Sequence, residues 1–180
     1  RKSGPLYQWY EIVHPALLRK RSDEFRQPGV DVDDVVVDNY GEIMWRLQAL
    51  FGLKNTLGRR IISIGKPGGW GIGDKAVSLA QAKWKLDVRT VPYEDLAKRL
   101  QDAKADDAIV KRAHQEAEEY LSQDGVSLHT DREFVDRVFI LYEVFKDLMK
   151  ELDADAITVG GCMSTIMPIA ETTACLVLSL

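Results

Sequence analysis

The chain has 180 residues and a mass of 20.3 kDa, enough for one sizeable core; 46% of its residues are hydrophobic and 29% charged, which excludes disordered, collagenous and coiled-coil classes. Twenty-four Lys plus Arg against 28 Asp plus Glu leave a net charge of -4, so the positive field that draws a protein onto nucleic acid is absent, and nucleic acid is not an expected partner. No run approaches the roughly 18 apolar residues of a membrane span, and Arg1 to Pro5 leads into no signal-peptide core, so neither insertion nor secretion is expected.

Residues 1–37 read as an extension or the end of a preceding domain, and 38–180 as an α/β domain. Tyr7 to Lys20 carries a weak helical face broken by Pro15 and followed by Arg19-Lys20-Arg21, and Asp31 to Asp38 brackets a short β-branched run with acids. From Gly41 to Leu53 the residues Ile43, Met44, Leu47, Leu50 and Phe51 fall at i, i+1, i+4, i+7 and i+8, the stripe of an amphipathic helix. Ile61 to Ile64 is a short apolar run closed by Gly65, as expected of a buried strand in a parallel sheet.

Asp74 is placed to cap a helix from Lys75 to about Lys85, with Ala76, Leu79, Ala80 and Ala82 to Trp84 on its packed side. Leu86 to Val91 then alternates as a strand. Pro92 suits the opening of a helix from Tyr93 to Lys104, because proline in the first turn forfeits no needed hydrogen bond. A charged helix follows from Asp106 to Gln123 and closes at Asp124-Gly125. Thr130-Asp131-Arg132-Glu133 has the spacing of a capping box, and the helix it opens turns Phe134, Val135, Val138, Leu141, Tyr142, Phe145, Leu148, Met149 and Leu152 inward. Ala156 to Val159 reads as another buried strand, Gly160 to Ser164 as its turn, and Ile169 to Leu180 as the beginning of a further helix. Strands alternating with helices predict a three-layer α/β architecture, a mostly parallel sheet flanked by helices in the Rossmann-like or flavodoxin-like manner. Cys175 to Leu180 stops within an apolar periodic segment without Gly, Asn or Pro, so the domain is read as truncated there and as part of a larger multidomain chain.

Ligands of parallel sheets bind at the carboxyl ends of the strands, which directs attention to two loops. The first, Gly65 to Asp74, holds five glycines, Lys66 and Trp70. It departs from a Walker loop, because Lys66 opens it rather than closing it. It departs from a dinucleotide fingerprint as well, because Asp74 stands where the third glycine belongs. A solvated surface loop and a ligand-contacting loop both remain open for it, and Trp70, an indole among glycines, is a candidate to stack on a sugar or a neighbouring subunit. The second loop, Gly160 to Thr165, offers the Cys162 thiol and the Ser164 and Thr165 hydroxyls. A thiol nucleophile needs a base beside it that the sequence does not place, and a small buried cysteine is the plainer reading. Cys162 and Cys175 suggest neither a disulfide framework nor a zinc site, and a reducing cytoplasm fits them. His14, His114 and His129 are scattered and suggest no triad or metal cluster.

The loop Ile64 to Trp70 (IGKPGGW) and above all the stretch Asp153 to Leu176 (DADAITVGGCMSTIMPIAETTACL) resemble the L-fucose/L-arabinose isomerase family, in particular its fucose isomerase-related branch. The resemblance extends over most of the chain from about Asp38. It implies an aldose-ketose isomerase acting on an open-chain deoxy-hexose or pentose through an ene-diol, assembled as a homo-oligomer. It also implies a divalent metal, typically Mn²⁺, held by a glutamate, an aspartate and a histidine, which would polarise the reacting oxygens as a Lewis acid. Those ligands are expected beyond residue 180, so no metal ligand and no catalytic residue is assigned within the chain. Glu171 lies too early for the role and reads as a helix N-terminal charge. What the resemblance assigns here is a substrate-side wall: Cys162, Met163 and Ser164 at the pocket edge, and Trp70 in the pocket or a subunit contact. The alternative is a non-catalytic α/β module that binds a sugar or a phosphate through the same loops.

Overall fold

The computed structural model describes residues 39–68 and 71–180 and divides into two compact units, Arg1–Asn55 and Thr56–Leu180. The Tyr7 to Lys20 and Asp31 to Asp38 segments lie outside the described residues.

In the first unit the described element is helix α1 (Tyr40–Thr56). The Asn39 side chain accepts from the Glu42 amide at 3.1 Å, and Glu42 pairs with Arg46 one turn on at 2.8 Å. The helix is present, but its expected inward stripe is not. Met44, Leu47 and Leu50 are exposed, and so are Trp45 (63%) and Phe51 (69%). Apolar residues lie all round this helix, so it has no single face to bury.

The second unit is a mixed α/β structure built on three parallel strands. They are β1 (Arg60–Ile64), β2 (Asp87–Val91) and β3 (Ala156–Val159), in the spatial order β2-β1-β3. Ile62 stands opposite Arg89 on one side and Ile157 on the other, and Ile64 opposite Val91 and Val159. All three expected strands therefore form one parallel sheet. The expectation of burial holds only for β1, which is hydrogen-bonded on both edges and places Ile62, Ser63 and Ile64 out of solvent. β3 is an edge strand with Ala156 and Thr158 exposed, a correction that follows from a three-stranded sheet having two edges.

Helix α2 (Lys75–Trp84) connects β1 to β2 and buries no residue completely; Ala76 and Ala80 are half-buried, whereas Leu79, Ala82 and Trp84 are exposed, against expectation. Asp74 precedes it in helical conformation and makes no side-chain cap. Its carboxylate is instead held by the Lys66 ammonium at 2.8 Å.

The packed layer comes from α3 (Tyr93–Ala105), α4 (Asp107–Leu121) and α5 (Arg132–Glu151). Pro92 does open α3, which buries Leu96, Leu100 and Ala103 along one stripe. Asp106 caps α4 by accepting from the amides of Ala108 and Ile109 at 2.8 and 3.3 Å. α4 buries Ala113 and Ala117, one turn apart, with Ile109, Tyr120 and Leu121 half-buried beside them, and the small alanines let α5 approach closely. α5 buries Val135, Val138, Leu141, Val144, Phe145 and Leu148, which join Ile62, Ile64, Leu96 and Leu100 in one core. The predicted inward face of α5 is thus largely correct, with Phe134, Tyr142, Met149 and Leu152 only half-buried. The capping box does not form: Asp131 is the N-cap without a side-chain bond, and the Glu133 carboxylate accepts from Arg137 at 3.1 Å.

Past β3 the chain departs most from the sequence reading. Cys162–Ile166 is a π-helical turn, followed by α6 (Met167–Ala170) and α7 (Ala174–Val177), in place of one helix from Ile169. Glu171 breaks the helix in the left-handed region at φ 57°, with its carboxylate 3.4 Å from Lys104 and 3.2 Å from Arg137. Thr172, fully buried, donates its hydroxyl to the Phe134 carbonyl at 3.0 Å. A continuous helix would forfeit these contacts to α3 and α5.

Candidate functional site

The two ends of the sheet are built differently. Arginines and aspartates tie the amino end: Arg60 pairs with Asp87 at 2.8 Å and Arg59 with Asp155 at 3.0 Å. Hydrogen bonds from Arg60 and Arg89 hold the Asp87 carboxyl below its ordinary value. The carboxyl end carries glycines and hydroxyls, and both loops singled out from the sequence begin there.

Parallel pairing brings those loops together. The Gly65 amide donates to the Val91 carbonyl and the Gly160 amide to the Ile64 carbonyl, each at 2.9 Å. The ends of β2 and β3 are therefore each bonded to the end of β1, and the residue that covers the junction is Tyr93, the first residue of α3. A Cβ on Gly65 would lie 2.2 Å from the Tyr93 ring and hydroxyl, so the phenol rests directly on the bare glycine backbone. Three hydroxyls pack closely on Gly161, itself left-handed at φ 57°. A Cβ there would stand 2.9 Å from Tyr93 Oη, 3.0 Å from Thr165 Oγ1 and 3.3 Å from Ser164 Oγ.

The residues expected at this edge distribute as follows. Ser164 is exposed and packs its hydroxyl close to Gly161, 3.4 Å from that of Thr165. Cys162 is half-buried against the core, and Met163 beside it is 60% exposed. Both cysteines carry free thiols. Trp70 lies outside the described residues. From the sequence alone Tyr93 is only the start of a helix. The signal that marks it is its place directly after Val91-Pro92, since in a parallel sheet the first helical residue past any strand arrives at the carboxyl edge.

Among the described residues no group of three or more His, Cys, Asp or Glu is placed to hold a metal ion, and no helix is long and apolar enough to cross a membrane. Two open clefts lie elsewhere, on the helical layer. One of about 240 Å³ is lined by Arg99, Asp102, Asp106 and Asp147 among others, and one of about 300 Å³ by Lys111, His114 and Asp136 among others. Part of their charge is paired: Arg99 with Glu151 at 2.8 Å, while Asp136 accepts from Arg132 at 3.0 Å. The carboxyl edge, with hydroxyls converging on bare glycines, is the better candidate for binding. Comparison of the chain with models of known protein families, with curated proteins and with solved structures finds no match.

Proposed function

We propose that the carboxyl edge of this sheet is the sugar-facing wall of an aldose-ketose isomerase-type enzyme, acting on a deoxy-hexose or pentose such as L-fucose or L-arabinose through an ene-diol. The observation that carries the reading is the convergence of the Tyr93, Ser164 and Thr165 hydroxyls above Gly161, in the stretch where the sequence resembles the isomerase family. Hydroxyl side chains donate and accept, and so match a sugar's own hydroxyls. In this reading the three strands belong to a larger Rossmann-like, three-layer sheet, Trp70 and Met163 border the sugar or a neighbouring subunit, and the protein works as a homo-oligomer in the cytoplasm.

Mn²⁺, the metal the resemblance implies, would supply Lewis-acid polarisation of the sugar oxygens. The edge described above does not fit it, because a phenol, two hydroxyls and a thiol lack the carboxylate and imidazole donors such an ion takes. In this reading its ligands lie beyond Leu180, as the resemblance implies. The part this chain plays is to bind and orient the sugar chain.

A second reading, a non-catalytic sugar- or phosphate-binding module, draws on the same hydroxyls, which bind without supplying a general base. The test is ketose formation from a panel of aldoses with Mn²⁺, measured on the protein extended past residue 180. Turnover supports the isomerase; sugar binding without turnover by the extended, metal-loaded protein supports the module.

A further inference from the structure

We propose that α1 is a self-association surface, on which two copies of this chain pair their helices antiparallel about a two-fold axis; this rests on the homo-oligomer part of the reading above and needs nothing of the sugar-facing edge. Apolar side chains lie all round α1, but Tyr40, Ile43, Met44, Leu47, Leu50 and Phe51 fall together in one stripe about 120° wide, with Glu42, Arg46 and Ala49 opposite it. Ile43 is half-buried, and the other five keep half or more of their surface in water. No residue of α1 is buried. Helices of such length draw most of their stability in water from the packing of an apolar face, and the described part of this chain does not supply that packing.

Two features of the stripe select a second copy as its occupant. The first is self-complementarity. Tyr40, Met44, Leu47 and Phe51 recur at i, i+4, i+7 and i+11, the seam spacing of paired helices. An antiparallel copy sets Tyr40 against Phe51 of the other helix and Met44 against its Leu47, with Ile43 near its Leu50, and the two-fold axis repeats each contact. Antiparallel helices also oppose their dipoles, whereas a parallel pair would place Lys54, the next residue of the stripe, beside the same lysine of the other copy. The second feature is area. Half or more of two aromatic and three aliphatic side chains amounts to roughly 500 Å² per copy, so a pair would bury about 1,000 Å², the size at which specific association begins.

Sedimentation equilibrium and amide hydrogen exchange of the 180-residue chain, each over a range of concentrations, test this. A reversible dimer of twice 20.3 kDa is expected, and exchange in residues 40–56 should slow as the dimer fills. Leu47→Glu places a charge twice in the seam and should raise the dissociation constant at least about 30-fold, whereas Trp45→Glu, on the far side of the helix, should change it less than about 3-fold. Leu47→Ala favours the helix and removes only the seam side chain, so its expected weakening of about 10-fold separates loss of the contact from loss of the helix. Both positions are exposed in the single chain, so the melting of the unit Thr56–Leu180 should be the same in all three variants. A dimer that both Leu47 variants leave as tight as the parent's overturns this surface while the homo-oligomer reading survives. A chain that stays monomeric at every concentration overturns the surface too, whether its α1 amides are protected throughout, as coverage by its own residues 1–38 would make them, or open throughout. The sugar-facing reading is judged by turnover of the extended protein and stands apart from either result.

Discussion

The Gly160 amide donates to the Ile64 carbonyl at 2.9 Å, which carries the β1–β3 ladder one residue past its last paired couple, Ile64 with Val159. Two loops about 95 residues apart in sequence therefore leave the sheet from a common point, and Tyr93 closes it from the end of β2. Close approach without side chains is what the junction requires, and glycine at 65, 160 and 161 meets that requirement.

Gly65→Ala is expected to destabilise the fold by about 1 to 4 kcal/mol, from a left-handed φ of 75° together with overlap on the Tyr93 ring. In a Tyr93→Ala background the overlap disappears and the φ penalty remains, so the two substitutions should show a coupling of roughly 1 kcal/mol or more in a urea-denaturation cycle. Strict additivity would mean that the ring does not rest on Gly65.

Leu141→Ala should cost about 2 to 5 kcal/mol, because Leu141 is wholly buried in the centre of the α5 face and its removal leaves a cavity under the sheet. The same truncation at Leu79, exposed on α2, is expected to stay within about 0.5 kcal/mol. Chemical denaturation of the two variants reads the contrast directly.

Thr172→Val removes the hydroxyl that bonds the Phe134 carbonyl and leaves that carbonyl without its side-chain donor at a buried contact. A loss of about 1 to 3 kcal/mol is expected. Because Thr172 pins the break between α6 and α7 to α5, amide exchange should rise first in residues 167–177.

Stability should depend on pH through Glu143. Its side chain is only 9% exposed; burial opposes its ionisation, but Lys146 and Arg112 outweigh burial and hold the carboxyl below its ordinary value of 4.5. A depressed carboxyl contributes stability that is fully present above 4.5 and is lost as the pH falls through the lower folded value. The Lys146 ammonium behaves in the mirror sense. Burial lowers it, Glu143 and Glu116 more than offset this and raise it, and its contribution is present below 10.5 and lost at higher pH. Glu143→Gln is accordingly expected to cost about 1.5 to 3 kcal/mol at neutral pH, with the gap to the parent closing below pH 4.5 in acid titrations. A gap that persists unchanged to pH 2 would contradict the assignment.

Calorimetric titration of the 180-residue chain with Mn²⁺ is expected to show no micromolar binding, since the donors at the carboxyl edge are hydroxyls and a thiol. Tight binding would mean that the metal ligands lie within these residues.

Periodicity alone placed all three strands, the start of α3 and most of the buried face of α5, because those signals are local: β-branched runs of four or five residues, a proline where an amide is dispensable, and apolar spacing of three and four. Both loops of the candidate site were also legible, since a parallel sheet sends every strand's carboxyl end to one edge. Other features required the tertiary structure. The spacing of Thr130 and Glu133 suited a capping box, yet Arg137 takes the glutamate. Asp74 suited a cap, yet Lys66 takes its carboxylate. The apolar run from Ile169 suited one helix, yet Glu171 and Thr172 are drawn to Lys104, Arg137 and Phe134 and break it. Tyr93 gained its place over the glycines only when β2 paired with β1. In each case a partner distant in sequence, or on another element, competed with a local preference worth about 1 kcal/mol and prevailed, and one chain read in order does not reveal such partners.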